Sequence, residues 1–358
     1  MKTFLKNIVV KILTLEAKLL LSRHHPTIIA VTGSVGKTSM KDAIYSILKK
    51  HYSTRKSEKS FNSEIGVPLT VLGLPNAWNN PFLWLKNIID GLFIALFSKD
   101  YPKYLILETG IDRPGDMSNL AKWLKPNIVV LTRFPDVPVH VEYFENPQAV
   151  INEKMKLIDA LDQDGVVIYN HDDESIQNAL SSVRQKTIGY SRYLNSHFSA
   201  SKDTIYYNDD VRAGISFFIN NMDEINEVRI SGVVGVQQVY IYTGAIAVAS
   251  QCGLSVIEAA ESLSNHVPPP GRMRVLKGIK GTVIIDDTYN SSPAAAEQAL
   301  ETLKEIRLAK RKIAVLGDML ELGRFSAREH ERLGELVPQC ADVLITIGVR
   351  ARQIAETA

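Results

Sequence analysis

Residues 32–39, Thr-Gly-Ser-Val-Gly-Lys-Thr-Ser, constrain this chain more than any other stretch. An apolar run at 28–31 precedes them and a helical pattern at 40–48 follows. A strand, a Gly-containing loop, then Lys-Thr at the start of a helix is the layout of a phosphate-binding loop. Its glycines, Gly33 and Gly36, let backbone N–H groups approach phosphate oxygens, and the helix N-terminus favours anions. Lys37 can reach terminal phosphates and the Thr38 hydroxyl can ligate Mg²⁺. The candidate nucleotide site is therefore Gly33, Ser34, Val35, Gly36, Lys37, Thr38 and Ser39. Val31 stands where the full pattern begins with Gly, so the loop is the shorter Gly-x-x-Gly-Lys-Thr form. The plainer alternative is a Gly-rich turn with an exposed lysine; the flanking strand and helix favour nucleotide.

Length and charge narrow the setting. With 358 residues the chain has room for two or more domains. Lys and Arg total 41 against 39 for Asp and Glu, which gives no reason to expect nucleic acid as a partner. Two cysteines, Cys252 and Cys340, cannot build a disulfide framework, so a reducing cytoplasm is the expected compartment. Residues 3–22 are rich in Leu, Ile and Val, but Lys6, Lys11, Glu16 and Lys18 interrupt them. That argues against a spanning helix and against a signal peptide. An amphipathic helix over 1–25 packing on the next domain is the preferred reading; contact with a membrane surface is the other. A second apolar run, 82–97, is broken by Lys86, Asn87 and Asp90 and reads as a buried or interfacial helix.

From residue 26 to about 190, apolar strands alternate with helical patterns. Strands are expected at 27–31, 104–107, 128–131 and 166–169, forming a parallel sheet with helices on its faces. Short segments at 204–207, 215–219 and 227–230 read as antiparallel strands at one edge, and 239–250 as a helix. The stiff stretch from His266 to Gly271 is the expected boundary, giving a central domain over 26–268 and a second over 269–358. After it the alternation restarts: strand 283–286, a helix to Leu308, strand 313–316, helix 326–337 and strand 343–347. Three strands make a thin sheet, so this α/β part is expected to be a partial Rossmann-like domain.

Three further side chains carry chemistry only if they meet. Glu108 ends the strand at 104–107, where strand ends border the ligand crevice of an open parallel sheet, and could hold Mg²⁺ opposite Thr38. Alone it would be a solvated strand-end carboxylate. His140 follows another strand, and Lys154 lies fourteen residues later on a helix. Each alone is an ordinary structural or surface residue.

In series, TGSVGKTSMKDAI, FNSEIGVPLTVL at 61–72, LETG at 107–110, HVEYF at 140–144 and GRMR at 271–274 resemble the Mur ligases. DDTYNSSP at 286–293 and VLGDMLELG at 315–323, with His330 after them, resemble the branch that adds D-alanyl-D-alanine to a muramyl tripeptide. The likeness covers residues 26–358. It implies that Lys37 binds the β- and γ-phosphates of ATP, that Thr38 and Glu108 hold one Mg²⁺, and that His140 helps hold a second. It implies that Lys154, with Lys156 a rival for the same place, is carbamylated by CO₂ into a metal-facing carboxylate. That reaction needs the neutral amine, and so a lowered pKa. Arg272 would contact ATP from the second domain, Asp287 its ribose, and Asn62 would lie in the substrate-side loop. The implied reaction is amide formation. ATP phosphorylates a carboxylate of a UDP-sugar-peptide, and an amine such as D-alanyl-D-alanine displaces phosphate from the acyl phosphate.

Departures accompany the matches. A helix of about 25 residues stands where the family has its UDP-gripping domain. Ile241, in Gln237-Gln238-Val239-Tyr240-Ile241, replaces an asparagine expected near adenine, and Asp112 sits where Asn is common. The last strands that would help bind the amine are not part of the sequence. Nucleotide binding is therefore expected to exceed ligase activity. Two alternatives stay open: a related ligase for a folate, amino-acid polymer or lipid-linked carboxylate, and a catalytically weak nucleotide-binding subunit acting through a partner.

Overall fold

The computed structural model describes residues 3–58, 61–208, 212–221, 224–307 and 309–358. In chain order the first elements are α1 (Thr3–His24), β1 (Thr27–Thr32), α2 (Lys37–Leu48), β2 (Thr54–Lys56), α3 (Gly66–Leu72), α4 (Pro81–Phe97) and β3 (Tyr104–Glu108). Then follow α5 (Asp116–Ala121), β4 (Ile128–Leu131), α6 (Pro147–Met155), β5 (Val166–Asn170), α7 (Glu174–Leu180) and β6 (Lys186–Ser191). The strands β7 (Phe198–Asn208), β8 (Arg212–Asn221) and β9 (Glu224–Ser231) precede the helices α8 (Val236–Gln251) and α9 (Val256–Leu263).

The nine strands form one sheet in the order β2-β3-β1-β4-β5-β6-β7-β8-β9. All pairs from β2 to β7 are parallel, and β7-β8-β9 close the edge antiparallel, as the sequence pattern implies. Helices cover both faces, so the inner strands are apolar on both sides. In β1, Ile29 and Val31 point into the core shared with α2 and α8, while Ile28 and Ala30 point into the core shared with α1 and α3. Along α2, Met40, Ala43, Ile44, Ile47 and Leu48 recur at helical spacing and are buried. Each large one contributes about 1.5–3 kcal/mol by leaving water. β1, an inner strand between β3 and β4, carries the phosphate loop to the sheet's C-terminal edge.

α1 packs Val9, Leu13, Ala17 and Leu20 inward, against the same core as α3 and α4. No helix among the described residues is long and apolar enough to cross a membrane.

Beyond residue 270 lie β10 (Arg274–Lys277), β11 (Val283–Asp286), α10 (Pro293–Glu305), β12 (Ile313–Gly317), α11 (Ser326–Cys340), β13 (Val343–Ile347) and α12 (Arg352–Thr357). The elements arrive in the expected order, with two differences. β11 pairs antiparallel with β10 and does not join β12–β13, so the thin three-stranded sheet is two separate two-stranded ones. The left-handed Lys280 and Gly281 (φ 53° and 73°) turn the chain back after β10 and make that hairpin. α10 also stops at Glu305, because Ile306 turns extended (φ −64°, ψ 123°); the expected end, Leu308, lies outside the described residues. Val275 N–H donates to the Gly232 carbonyl at 3.0 Å and Val234 N–H to that of Met273 at 3.3 Å, tying this lobe to the end of β9.

Candidate active site

The loop between β1 and α2 can be built only with glycine at two places. Gly33 has φ 140°, and a Cβ there would sit 2.0 Å from Thr132 Oγ1 at the end of β4. Gly36 has φ 86° and caps α2; its Cβ would meet Gln237 Nε2 at 3.0 Å. The Ser34 N–H donates to the Arg133 carbonyl at 2.8 Å, which pins the loop to the neighbouring strand end. Val35 is half-buried, and Thr38 and Ser39 are buried in the first turn of α2.

Two lysines converge on one carbonyl oxygen of this loop. Lys37 Nζ donates to Gly33 O at 2.9 Å, and Lys154 Nζ, from α6, donates to the same oxygen at 2.7 Å. Lys154 also lies 3.4 Å from Ser34 Oγ. Lys154 is 1% exposed; burial first, and the Lys37 charge second, hold its pKa well below the ordinary lysine range. Burial also lowers the pKa of Lys37, with Arg272 acting in the same sense and Glu108 against it. Lys156 turns away, half exposed, and pairs with Glu153 at 2.7 Å. Residues two positions apart on a helix point about 200° away from each other, so only one of the rival lysines can face the loop.

Glu108, at the end of β3, is 2% exposed. Its Oε1 accepts from Asn62 Nδ2 at 3.3 Å, while Oε2 has no hydrogen-bond partner and lies 3.5 Å from Lys41 Nζ. The Asn62 carbonyl accepts the Gly110 N–H at 2.9 Å, so the expected substrate-side loop is held directly beside this carboxylate.

The second lobe reaches the first at Thr38, through Arg272, and at His140, through Glu321. Arg272 Nη2 lies 3.4 Å from Thr38 Oγ1, and its guanidinium stacks over the Tyr289 ring. Asp287 accepts the Met273 N–H at 3.1 Å; burial raises its pKa to about 6, against the pull of Arg272. His140 Nδ1 lies 2.6 Å from Glu321 Oε2. Both residues adopt left-handed backbone, φ 70° and 62°, a strained conformation that often marks functional loops. Burial lowers the His140 pKa; Glu321 opposes, and Lys154 and Lys37 add to the lowering, so His140 belongs to the same electrostatic cluster.

Sequence reasoning missed Lys41 and Glu321. Lys41 is one helical turn beyond Lys37 on α2, 1% exposed, and its spacing was the available signal. Glu321 lies within the quoted VLGDMLELG stretch, but nothing local ties it to His140. Ile241 is buried, with its Cδ1 3.6 Å from where a Gly36 Cβ would stand, so this side of the loop is apolar. A cleft of about 1910 Å³ opens between the lobes, lined by Gln237 and Tyr240 from α8 and by Glu301 and Thr302 from α10. Lys37, Thr38, Glu108 and Lys154 do not line it. Among the described residues, no three His, Cys, Asp or Glu side chains are grouped closely enough to hold a metal ion by themselves.

The fold and loop define a phosphate-loop α/β protein with a second lobe closing on the loop. The chain matches the Mur ligase middle domain over residues 31–82 and 87–249, and the Mur ligase glutamate ligase domain over 271–358; it belongs to the Mur ligase family. It is 29% identical over 343 residues to the UDP-N-acetylmuramoyl-tripeptide--D-alanyl-D-alanine ligase of Bacillus subtilis, covering 96% of this chain and 67% of that one. With the enzyme of the same name from Mycobacterium leprae it shares 33% identity, covering 87% of this chain and 59% of the relative. The chain thus spans about three fifths to two thirds of the length of these relatives. Among solved structures, MurF ligase from Thermotoga maritima in complex with ADP superposes with a TM-score of 0.78 at 25% identity, over 96% of this chain and 72% of that one. MurF from Acinetobacter baumannii gives 0.81 at 21% identity, over 97% and 69%, a likeness of fold.

Proposed function

We propose that the chain is an ATP-dependent carboxylate–amine ligase of peptidoglycan-precursor synthesis, joining D-alanyl-D-alanine to a UDP-linked muramyl tripeptide. The observation that carries this reading is the meeting of Lys37, Lys154 and Ser34 at Gly33, with Arg272 of the second lobe on Thr38. Groups from both lobes bracket the place where a terminal phosphate would sit. Lys37 holds the phosphoryl oxygens as a point charge. Arg272 adds a second charge once the lobes close. The γ-phosphoryl group passes to the substrate carboxylate and ADP departs. The amine then attacks the acyl carbon, the bond to the phosphate oxygen breaks, phosphate leaves and the amine loses its proton. Asn62, beside Glu108, would orient the acceptor.

The donor set fits Mg²⁺. That ion takes one or two carboxylates with phosphate oxygens and water, not an all-protein cage. Thr38 and Glu108, whose Oε2 lacks a hydrogen bond, would hold it; His140 and a carbamylated Lys154 would serve a second ion. Bound Mg²⁺ would neutralise phosphoryl charge. The lowered Lys154 pKa supports the carbamate, because only the neutral amine attacks CO₂. We place the boundary between the ATP-binding and C-terminal domains at 266–271 and treat 1–25 as a separate helical element.

The test is phosphate release and product mass with Mg²⁺-ATP, the UDP-linked tripeptide and D-alanyl-D-alanine. Release that requires both substrates, and falls at least about a hundredfold in Lys37→Ala, is the expected result. Release independent of the carboxylate, or unchanged in Lys37→Ala, would overturn the reading.

A further inference from the structure

α4 is inside out. An ordinary surface helix buries its apolar stripe. α4 turns Trp84, Asn87, Gly91 and Ala95 inward and presents Phe82, Leu85, Ile89, Leu92, Phe93 and Leu96 to the outside. Phe82 is 81% exposed, Phe93 65% and Ile89 60%. The orientation is locked. Asn80 caps the helix by accepting from Phe82 N and Leu83 N. Asn87 Nδ2 donates to the Pro75 carbonyl at 2.8 Å, and Trp84 Nε1 to that of Trp78 at 2.8 Å. Gly91 lies so close to α1 that a Cβ would stand 2.2 Å from Glu16 Oε2. Rolling α4 to hide its apolar side would break all of these contacts.

α1 extends the same face. Ile8, Leu15 and Leu19 are exposed, and Trp78 stands exposed just before α4. Among the described residues, the exposed unpaired cations of α1 are Lys11 and Lys18; Lys86 on α4 is matched by Asp90, and Lys99 just after it has exposed Asp100 beside it. The one acid of α1, Glu16, is buried. The middle-domain match begins at residue 31, after α1, and is interrupted between 82 and 87, inside α4.

We infer that the α1–α4 face docks the chain on an anionic lipid bilayer surface. An exposed apolar patch carrying Trp and Phe, with the Lys11 and Lys18 cations of α1 alongside, suits the headgroup–acyl boundary. It exceeds the scattered apolar residues of an ordinary surface. α4 is about 25 Å long and carries Lys86 and Asp90, so it lies in the interface and does not span. These two cations favour lipid over a second copy, which would bring the same positive charges together.

The test sediments the full chain with vesicles of phosphatidylcholine alone and of an equal mixture with phosphatidylglycerol. It needs no nucleotide or turnover, so it stands apart from the ligase reading. The expected result is binding to the mixed vesicles, weakened by salt and by Lys11→Glu/Lys18→Glu, and at least about tenfold lower in Ile89→Glu/Phe93→Glu. Both apolar positions are exposed, so the variant should keep its unfolding midpoint; Ile89→Ser is the milder version should it not. No binding to mixed vesicles, or equal binding by the apolar variant, overturns the inference. Equal binding to neutral vesicles overturns the role of Lys11 and Lys18. Self-association abolished by the variant, without vesicle binding, reassigns the face to a second copy.

Discussion

Glu16 should be a measurable burden on the folded protein above neutral pH. It is 6% exposed, faces Gly91 across the α1–α4 contact, and its Oε2 has no hydrogen-bond partner. Burial raises its pKa from 4.5 to about 7. Between those values the folded state keeps a proton that the unfolded chain releases. Stability therefore falls as pH rises through this window and is lowest above about 7. At about 1.4 kcal/mol per pKa unit, the full shift corresponds to about 3 kcal/mol. Glu16→Met keeps the approximate volume and removes both the charge and the unpaired oxygen. The variant should gain about 2–3 kcal/mol over the wild type at about pH 8, and gain at least about 2 kcal/mol less at about pH 5. Urea unfolding at the two pH values, followed by the fluorescence of buried Trp84, measures the difference. A gain that is the same at both values would refute the argument, since it would show that Glu16 carries no proton linked to folding.

Lys154→Ala should abolish ATP-dependent turnover, and added formate or acetate should restore part of it; no rescue would remove the case for a carbamate. Gly36→Ala places a Cβ at φ 86° and 3.0 Å from Gln237 Nε2. Binding of a non-hydrolysable ATP analogue should weaken at least about tenfold by calorimetry, and unchanged binding would mean the loop is not the phosphate site. His266 is buried, with Nδ1 2.8 Å from Ser46 Oγ, and burial lowers its pKa from 6.5 to about 4. The folded state excludes a proton that the unfolded chain takes up, so His266 costs stability as pH falls below about 6.5. Its ring resonances should titrate near 4, and a midpoint near 6.5 would contradict the burial.

The phosphate loop was legible because its signal is local: an apolar strand, two glycines and a helix start within a few residues. Four parallel strands and the antiparallel edge were legible for the same reason, through alternation and length, whereas β2 and β6 were not anticipated. The choice between Lys154 and Lys156 was not, because spacing alone cannot say which face of α6 turns inward. Nor was the pairing of His140 with Glu321, which joins two loops across the lobes. The run at 82–97 announced a helix but not its orientation. Asn87 and Gly91 go inward with Trp84 because the Pro75 carbonyl accepts from Asn87 and α1 passes too close to Gly91 for a side chain, and those contacts come from other elements. β11 was recognised as a strand but assigned to the wrong sheet, since the turn at Lys280–Gly281 makes the nearer β10 its partner.

The two-stranded β12–β13 sheet, with its exposed Val315, Ile345 and Ile347, is far thinner than the nine-stranded one. Thin sheets open more often, and their amide hydrogens exchange with solvent faster. Each opening that swings this lobe away must part Arg272 from Thr38 and Glu321 from His140. A ligand held between Thr38 and Arg272 taxes every such opening with its own binding free energy. Amide exchange in β12, remote in sequence from the phosphate loop, thereby becomes a gauge of whether the loop is occupied.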